Sequence, residues 1–300
     1  TWDNCLPDFK AHEDHHRLDD GPNGHENFAK LHGSGGEWRV EKQRLGWDIL
    51  DAFAAAAQQA GVPATDDFNR GTNEGVGYFE VNQRSGWRWN TAKAFLRPTC
   101  MSRPNFTLWT NAQAQRLTIE RGADGGLRCT GVEVVHDGNR VTVSAKSEVV
   151  LAAGSIGSPQ LLQLSGIGPA ALLQKHGIEV KQDTPGVGAN LQDHLQIRAV
   201  FKVTGAKTLN TLANSLVGKA MIGAEYAMKR TGPMSMAPSQ LGAFTRSDPS
   251  RVHPNIQYHV QPLSLDAFGE PLHRFPAFTA SVCNLEPTSR GTVQIRSANP

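Results

Sequence analysis

Hydrophobic and polar positions change rhythm several times along the 300 residues. Up to residue 45 the pattern is polar and irregular, with segments such as HEDHH (12–16) and HGSGGEW (32–38), and it predicts loops. From Asp48 the pattern turns helical: Ile49, Leu50, Phe53, Ala54 and Ala57 fall on one face, and Gly61 supplies a stop. TAKAFLRP (91–98) predicts a second helix, closed by Pro98. The rhythm then shortens to two. FTLWT (106–110), QRLTIE (115–120), GVEVVHDG (131–138) and VTVSAK (141–146) are rich in β-branched and aromatic residues and predict strands. Asp137-Gly138 between two of them predicts a hairpin bend. SEVVLAAG (147–154) is apolar without alternation, as in a parallel strand buried on both faces. Helices are expected at 158–166 and 168–177, followed by a strand-like IEVKQD (178–183). Beyond GANLQDH (188–194) come a strand at 197–203, a helix from Leu212 to Lys229, and further strands ending in GTVQIRS (291–297).

Composition narrows the class. A 39% apolar and 19% charged chain of this length fits a globular protein of two domains, or one large one. A formal net charge of +2 with no basic run gives no footprint for nucleic acid, which is not expected as a partner. Cys5, Cys100, Cys129 and Cys283 stand far apart without a CxxC pair. That argues against a zinc site or a disulfide scaffold and for a reducing, cytoplasmic setting. No apolar run approaches the roughly 18–20 residues of a membrane span, so any membrane role is peripheral.

The glycine-rich stretch AAGSIGSPQLLQLSGIGP (152–169) follows the apolar run but lacks the G-x-G-x-x-G spacing of a dinucleotide pyrophosphate loop. What it offers is a strand end followed by a helix start. Ser158 is placed to act as N-cap and Pro159 as the first helical residue, and Gly154 allows a flat cofactor to approach the backbone. A plain strand-to-helix turn accounts for the local pattern equally well. His12 and His16 have the i, i+4 spacing of two ligands on one helical face, but no neighbouring residue in the sequence completes a set, and no metal is expected. Asp193 and His194 are adjacent in an extended segment and point to opposite faces, which favours a structural role. No G-x-S-x-G elbow is present, which removes the serine hydrolase of that type.

The run Gly154-Ser155-x-x-Ser158-Pro159-x-Leu161-Leu162-x-x-Ser165-Gly166-Ile167-Gly168 resembles the second signature of the GMC (glucose–methanol–choline) flavin oxidoreductases at every constrained position. TWDNCLPDFKAHED (1–14), SGWRWNTAKAFLRP (85–98), PGVGANLQDH (185–194), PNIQYH (254–259) and SRGTVQIRS (289–297) resemble further segments of that family, nearest its choline and alcohol dehydrogenase branch. The resemblance implies an α/β (mixed α+β) architecture: part of a Rossmann-like FAD-binding domain joined to an antiparallel-sheet substrate domain. It divides the chain into a cap or substrate-side segment (1–97), part of the FAD-binding domain (98–194) and part of the substrate-binding domain (195–300).

The same resemblance implies the chemistry. A primary alcohol loses its hydroxyl proton to a histidine while a hydride passes to flavin N5, giving an aldehyde and handing electrons to a quinone or similar acceptor. Gly154, Ser155, Ser158 and Pro159 are the implied FAD contacts, with Ala114 at a backbone position, usually Val, that meets the adenine. Gln240 falls where choline-oxidising members carry an acidic residue, and a neutral amide there favours an uncharged alcohol over a quaternary ammonium. The pyrophosphate loop lies upstream of the segment resembled by 1–14. The catalytic histidine and its His or Asn neighbour lie downstream of that resembled by 289–297. The chain is therefore expected to be an inner fragment that is inactive alone and carries none of the catalytic residues. Oxidases and a lyase of the same family are the alternative chemistries.

Overall fold

The computed structural model describes residues 1–19, 26–267 and 269–300. In chain order its main elements are α1 (Trp2–His12), β1 (Glu13–His15), β2 (Trp38–Val40), α2 (Asp48–Gln59) and β3 (Gly75–Tyr78). Next come β4 (Ala112–Arg121), β5 (Leu127–His136), β6 (Asn139–Ser144), α3 (Gly154–Leu164) and α4 (Ala170–Lys175). The last third holds β7 (Gln196–Lys202), α5 (Leu209–Ala213), α6 (Leu216–Lys229), β8 (Leu241–Thr245), β9 (Ile256–Gln261) and β10 (Ala277–Asn284). These form two compact units, one of Thr1–Phe106 with His194–Glu286, the other of Thr107–Asp193 with Pro287–Pro300.

The first unit is built on an antiparallel five-stranded sheet in the order β7-β10-β9-β8-β3. Segments 1–97 and 195–300 therefore share one sheet, because Gly75–Tyr78 pairs with Leu241–Phe244. The apolar face of α2 packs Leu50, Phe53, Ala54 and Ala57 against a core containing Trp47, Val76, Leu241, Ala243 and Val260, as its spacing predicts. The amino-terminal segment differs from expectation: residues 2–12 are helical, with Asp3 in the first turn and Lys10 and His12 in the last, the charge order the helix dipole favours. Two of the glycines of HGSGG have a packing reason. A Cβ on Gly33 would overlap the Lys10 carbonyl, and one on Gly36 the His12 backbone. Pro98 does not close its helix either. Ala92–Cys100 is wound in the wide, five-residue manner, with Met101 N–H bonded to Leu96 C=O, and runs through the proline. The helix expected from 212 to 229 is broken at Asn214-Ser215, where Ser215 Oγ accepts from Gly218 N–H at 2.9 Å and starts α6 afresh.

The second unit carries the antiparallel sheet β4-β5-β6, with Asp137 (φ 47°) and Gly138 (φ 82°) forming the expected tight bend. Residues 106–110 are not a strand: they have no ladder partner among the described residues, and Trp109 instead stacks on His136 with ring centroids 4.6 Å apart. Residues 147–153 are likewise unladdered. Val149 and Leu151 pack on Leu117, Ile119 and Leu161, while Val150 is 80% exposed, so one face alone is covered. GTVQIRS is held by a bridge between Leu191 and Gly291, by the backbone bond from Val293 N–H to Gly188 C=O and by side-chain bonds rather than by a sheet. Among the described residues no helix is long and apolar enough to cross a membrane.

Candidate functional site

Gly154 adopts φ +77°, a conformation that is inexpensive only for glycine, and so turns the chain into α3 four residues before the expected start. Ser158 is consequently not the N-cap. It sits within the helix, where its Oγ accepts from Ala153 N–H at 3.1 Å, and Pro159 lies inside the helix instead of at its first position. Ala153, the residue actually at the cap, provides no side-chain acceptor, so the first-turn N–H groups of α3 keep their donor capacity. Ala152 through Ile156 are exposed, and a Cβ on Gly154 would meet nothing within 4 Å. A cleft of about 380 Å³ adjoins this turn, lined by Ser155, Ser158, Pro159, Leu162, Gly188 and Asn190, among others. Ala114 is exposed on β4 in the same unit, where the register with β5 slips between Ala114 and Arg116 and leaves Gln115 as the extra residue of a bulge.

The cleft is fastened from behind by Gln163, which is fully buried on α3. Its Nε2 donates to Val293 C=O at 2.9 Å and Val187 C=O at 3.3 Å, and its Oε1 accepts from Ile295 N–H at 2.9 Å. One amide thus secures the Gly188 loop and the 293–295 strap to the helix that carries Ser155 and Ser158. Glycine at 188 is obligatory, because φ is +80° and a Cβ would overlap Val293 C=O.

Gln240 lies in the other unit, just before β8, with no exposed surface. Its Nε2 donates to Leu45 C=O at 3.1 Å, while its backbone carbonyl accepts from Phe79 N–H and Gln43 Nε2. Its Oε1 is buried without a protein hydrogen-bond partner.

The same unit holds a histidine–carboxylate cluster beside a cavity of about 890 Å³. His12, half of the i, i+4 pair, ends α1 and is exposed, whereas His16 Nε2 lies 2.8 Å from Glu80 Oε1. His15, fully buried, faces the other oxygen of Glu80 at 2.9 Å. His32 lies between Glu13 at 2.9 Å and Asp67 at 3.1 Å. Burial alone would depress the His32 pKa, but hydrogen bonds to Asp67 and Glu13 outweigh it and lift it to about 9. Burial likewise would raise Glu80, and the His15 and His16 contacts reverse that, holding it well below the usual carboxylate range. Residues 13, 15, 32, 67 and 80 carry no common spacing, so only the pairing of β1 with β2 and the fold around β3 brings them together. Asp193 and His194 are both exposed.

Residues 2–196 match the profile of the GMC oxidoreductases, and the chain belongs to that family. It is 38% identical over 300 residues to an oxygen-dependent choline dehydrogenase of Brucella anthropi, covering 100% of this chain and 52% of the relative. It is 37% identical over 302 residues to the mitochondrial choline dehydrogenase of Homo sapiens, with 100% and 48% covered. An alcohol dehydrogenase (acceptor) of Pseudomonas putida is 33% identical over 302 residues, with 100% and 52% covered. Among solved structures, a formate oxidase of Aspergillus oryzae, studied for its FAD modification, superposes with a TM-score of 0.84 at 25% identity, covering 100% of this chain and 55% of that one. A pyridoxine 4-oxidase from Mesorbium loti gives 0.78 at 28%, with 99% and 52% covered. The chain spans about half the length of the curated relatives it matches.

Proposed function

We propose that this chain supplies one wall of the FAD site and part of the substrate side of an oxidoreductase acting on the CH–OH group of a primary alcohol. The carrying observation is the Gly154–Pro159 turn: a positive-φ glycine open on its outer side, uncapped first-turn N–H donors, and a cleft beside them. Those features fit a flat, partly anionic cofactor approaching the backbone at a helix start. Gly154, Ser155, Ser158 and Pro159 would hold the cofactor, with the Ala114 backbone as a further contact. Bound FAD supplies the acceptor for the hydride that leaves the carbinol carbon. Gln240 has no exposed surface and does not reach a substrate directly, but a neutral amide in this position places no full charge there for a quaternary ammonium, which supports an uncharged alcohol. A quinone or similar compound is the proposed electron acceptor. The free, scattered cysteines go with a cytoplasmic setting, with peripheral membrane attachment compatible with it.

The test mixes the flavin-loaded full-length protein anaerobically with primary alkanols and with choline, following the visible flavin absorbance. Bleaching by alkanols at lower concentration than by choline is expected. Bleaching by choline alone overturns the substrate reading, and failure of the full-length protein to take up FAD overturns the cofactor reading. Oxygen uptake without added quinone would reassign it as an oxidase.

A further inference from the structure

One ring nitrogen each from His15 and His32 and one oxygen of Glu13 lie within 4.8 Å of one another, and both imidazoles are buried. Two nitrogens and a carboxylate converging in this way suit Zn²⁺ and neighbouring transition ions, and do not suit Mg²⁺ or Ca²⁺, which take shells of oxygen. His32 is already oriented as a ligand. Nδ1 faces the Glu13 carboxylate, while Nε2 faces Asp67, whose side chain is 1% exposed. A buried carboxylate on the far nitrogen is what fixes ring orientation and raises basicity in metal-bound histidines.

A second triad, His15–His16–Glu80, has similar spacing. There, however, Arg17 Nε bonds Glu80 Oε1 at 3.2 Å, and a guanidinium in that position repels a cation. On the Glu13 side no guanidinium competes: among the described residues, the ion pairs of Glu13 and Asp67 run only to His32. His15 Nε2 is turned to Glu80 at 2.9 Å, so its Nδ1 is the nitrogen left for an ion, which would replace the 3.3 Å bond that Nδ1 accepts from Arg17 N–H. Glu13 Oε2 also accepts from Gly33 N–H at 2.9 Å. Two carboxylates facing one imidazole leave a negative charge uncompensated, which a dication in place of the Nδ1 proton would cancel. The 890 Å³ cavity borders Glu13, His15 and His32, giving an ion an entry path and a water for its fourth position.

We propose that Glu13, His15 and His32 bind one divalent transition-metal ion of the zinc class, with Asp67 as the positioning residue for His32. The ion ties the start of β1 to the His32 loop and, through Asp67, to the turn before β3. It is distinct from the FAD wall, which lies in the other unit.

The test is titration of the chelator-stripped protein with Zn²⁺ by calorimetry and with Co²⁺ by visible ligand-field absorption, plus zinc-edge X-ray absorption of the loaded wild type. One ion per chain is expected, with a four-coordinate cobalt spectrum and two imidazole nitrogens at about 2.0–2.1 Å from zinc. Glu13→Gln and His32→Gln should abolish binding, Asp67→Asn should weaken it about 10–100-fold, and His16→Gln, from the other triad, should leave it unchanged. No saturable binding, or a zinc shell without two imidazoles, overturns the proposal. So does an equal loss in His16→Gln and His32→Gln. Should a ligand variant fail to fold, the wild type decides alone: its melting temperature must rise with zinc and return with chelator, and an unchanged value refutes the site.

Discussion

Replacing Gln163 by Leu tests whether one buried amide joins the cofactor-side helix to the loops behind it. Leucine keeps the bulk and removes all three hydrogen bonds, to Val187 C=O, Val293 C=O and Ile295 N–H. At a net of about 1 kcal/mol each, the lost bonds amount to about 3 kcal/mol. Ile295 N–H would also be stranded in a residue that is only 8% exposed, adding about 1–2 kcal/mol of uncompensated desolvation. The expected cost of about 4–5 kcal/mol is comparable with the whole stability of a marginal domain.

Two readouts separate this from a general loss of packing. Urea unfolding should show the fall in stability, and amide exchange should show Ile295 losing protection before the β4–β5 ladder does. In the full-length protein FAD affinity should fall as well, because the Gly188 loop and Val293 line the same cleft as Ser155 and Ser158. A loss below about 1 kcal/mol with Ile295 still protected would refute the reasoning. It would mean that backbone contacts such as Val293 N–H to Gly188 C=O at 2.7 Å hold the strap without Gln163.

Gly154→Ala should cost about 1–2 kcal/mol from its positive φ and weaken FAD binding by the full-length protein; an unchanged flavin titration would show that the cofactor does not approach this turn. Gly33→Ala puts a methyl into the Lys10 backbone, and a clear drop in melting temperature is expected; an unchanged value would mean that α1 moves aside freely. Leu50→Ala, at the centre of the first unit's core, should cost about 2–5 kcal/mol in urea unfolding, and a smaller loss would mean that the core collapses onto the gap. Tyr78 has its hydroxyl 2.8 Å from Asp51 Oδ1, and burial, together with that carboxylate, raises its pKa from 10.0 to about 12. Because the folded value is the higher one, this contribution to stability is complete below pH 10.0 and lost as pH rises towards about 12. A tyrosinate absorbance step near pH 12 that vanishes in Tyr78→Phe checks it, and a Tyr78 step at pH 10 would refute it.

What was legible in the sequence follows from the range of the forces involved. The face of α2 and the bend at Asp137-Gly138 are set by residues within a few positions of one another, and both appear as their spacing predicts. SEVVLAAG and GTVQIRS have strand composition, yet neither is laddered, because a strand is defined by a neighbour and not by its own residues. The same logic governs the sites. The 154–159 turn is legible because its glycine, serines and proline are contiguous, though the exact helix start is not, since Ser158 finds Ala153 N–H instead of capping. Gln163 sits inside the same recognised motif, but its role depends on Val293 and Ile295, 130 and 132 residues away. The histidine cluster is the extreme case. The i, i+4 pair of His12 and His16 is visible in the sequence but takes different partners, Glu37 and Glu80, while His15 meets Glu80 across 65 residues and His32 meets Asp67 across 35. Local spacing detects ligands on one helix and is blind to ligands gathered by a sheet. A histidine-rich segment lacking a nearby third ligand is therefore not evidence against a metal until its strand partners are known.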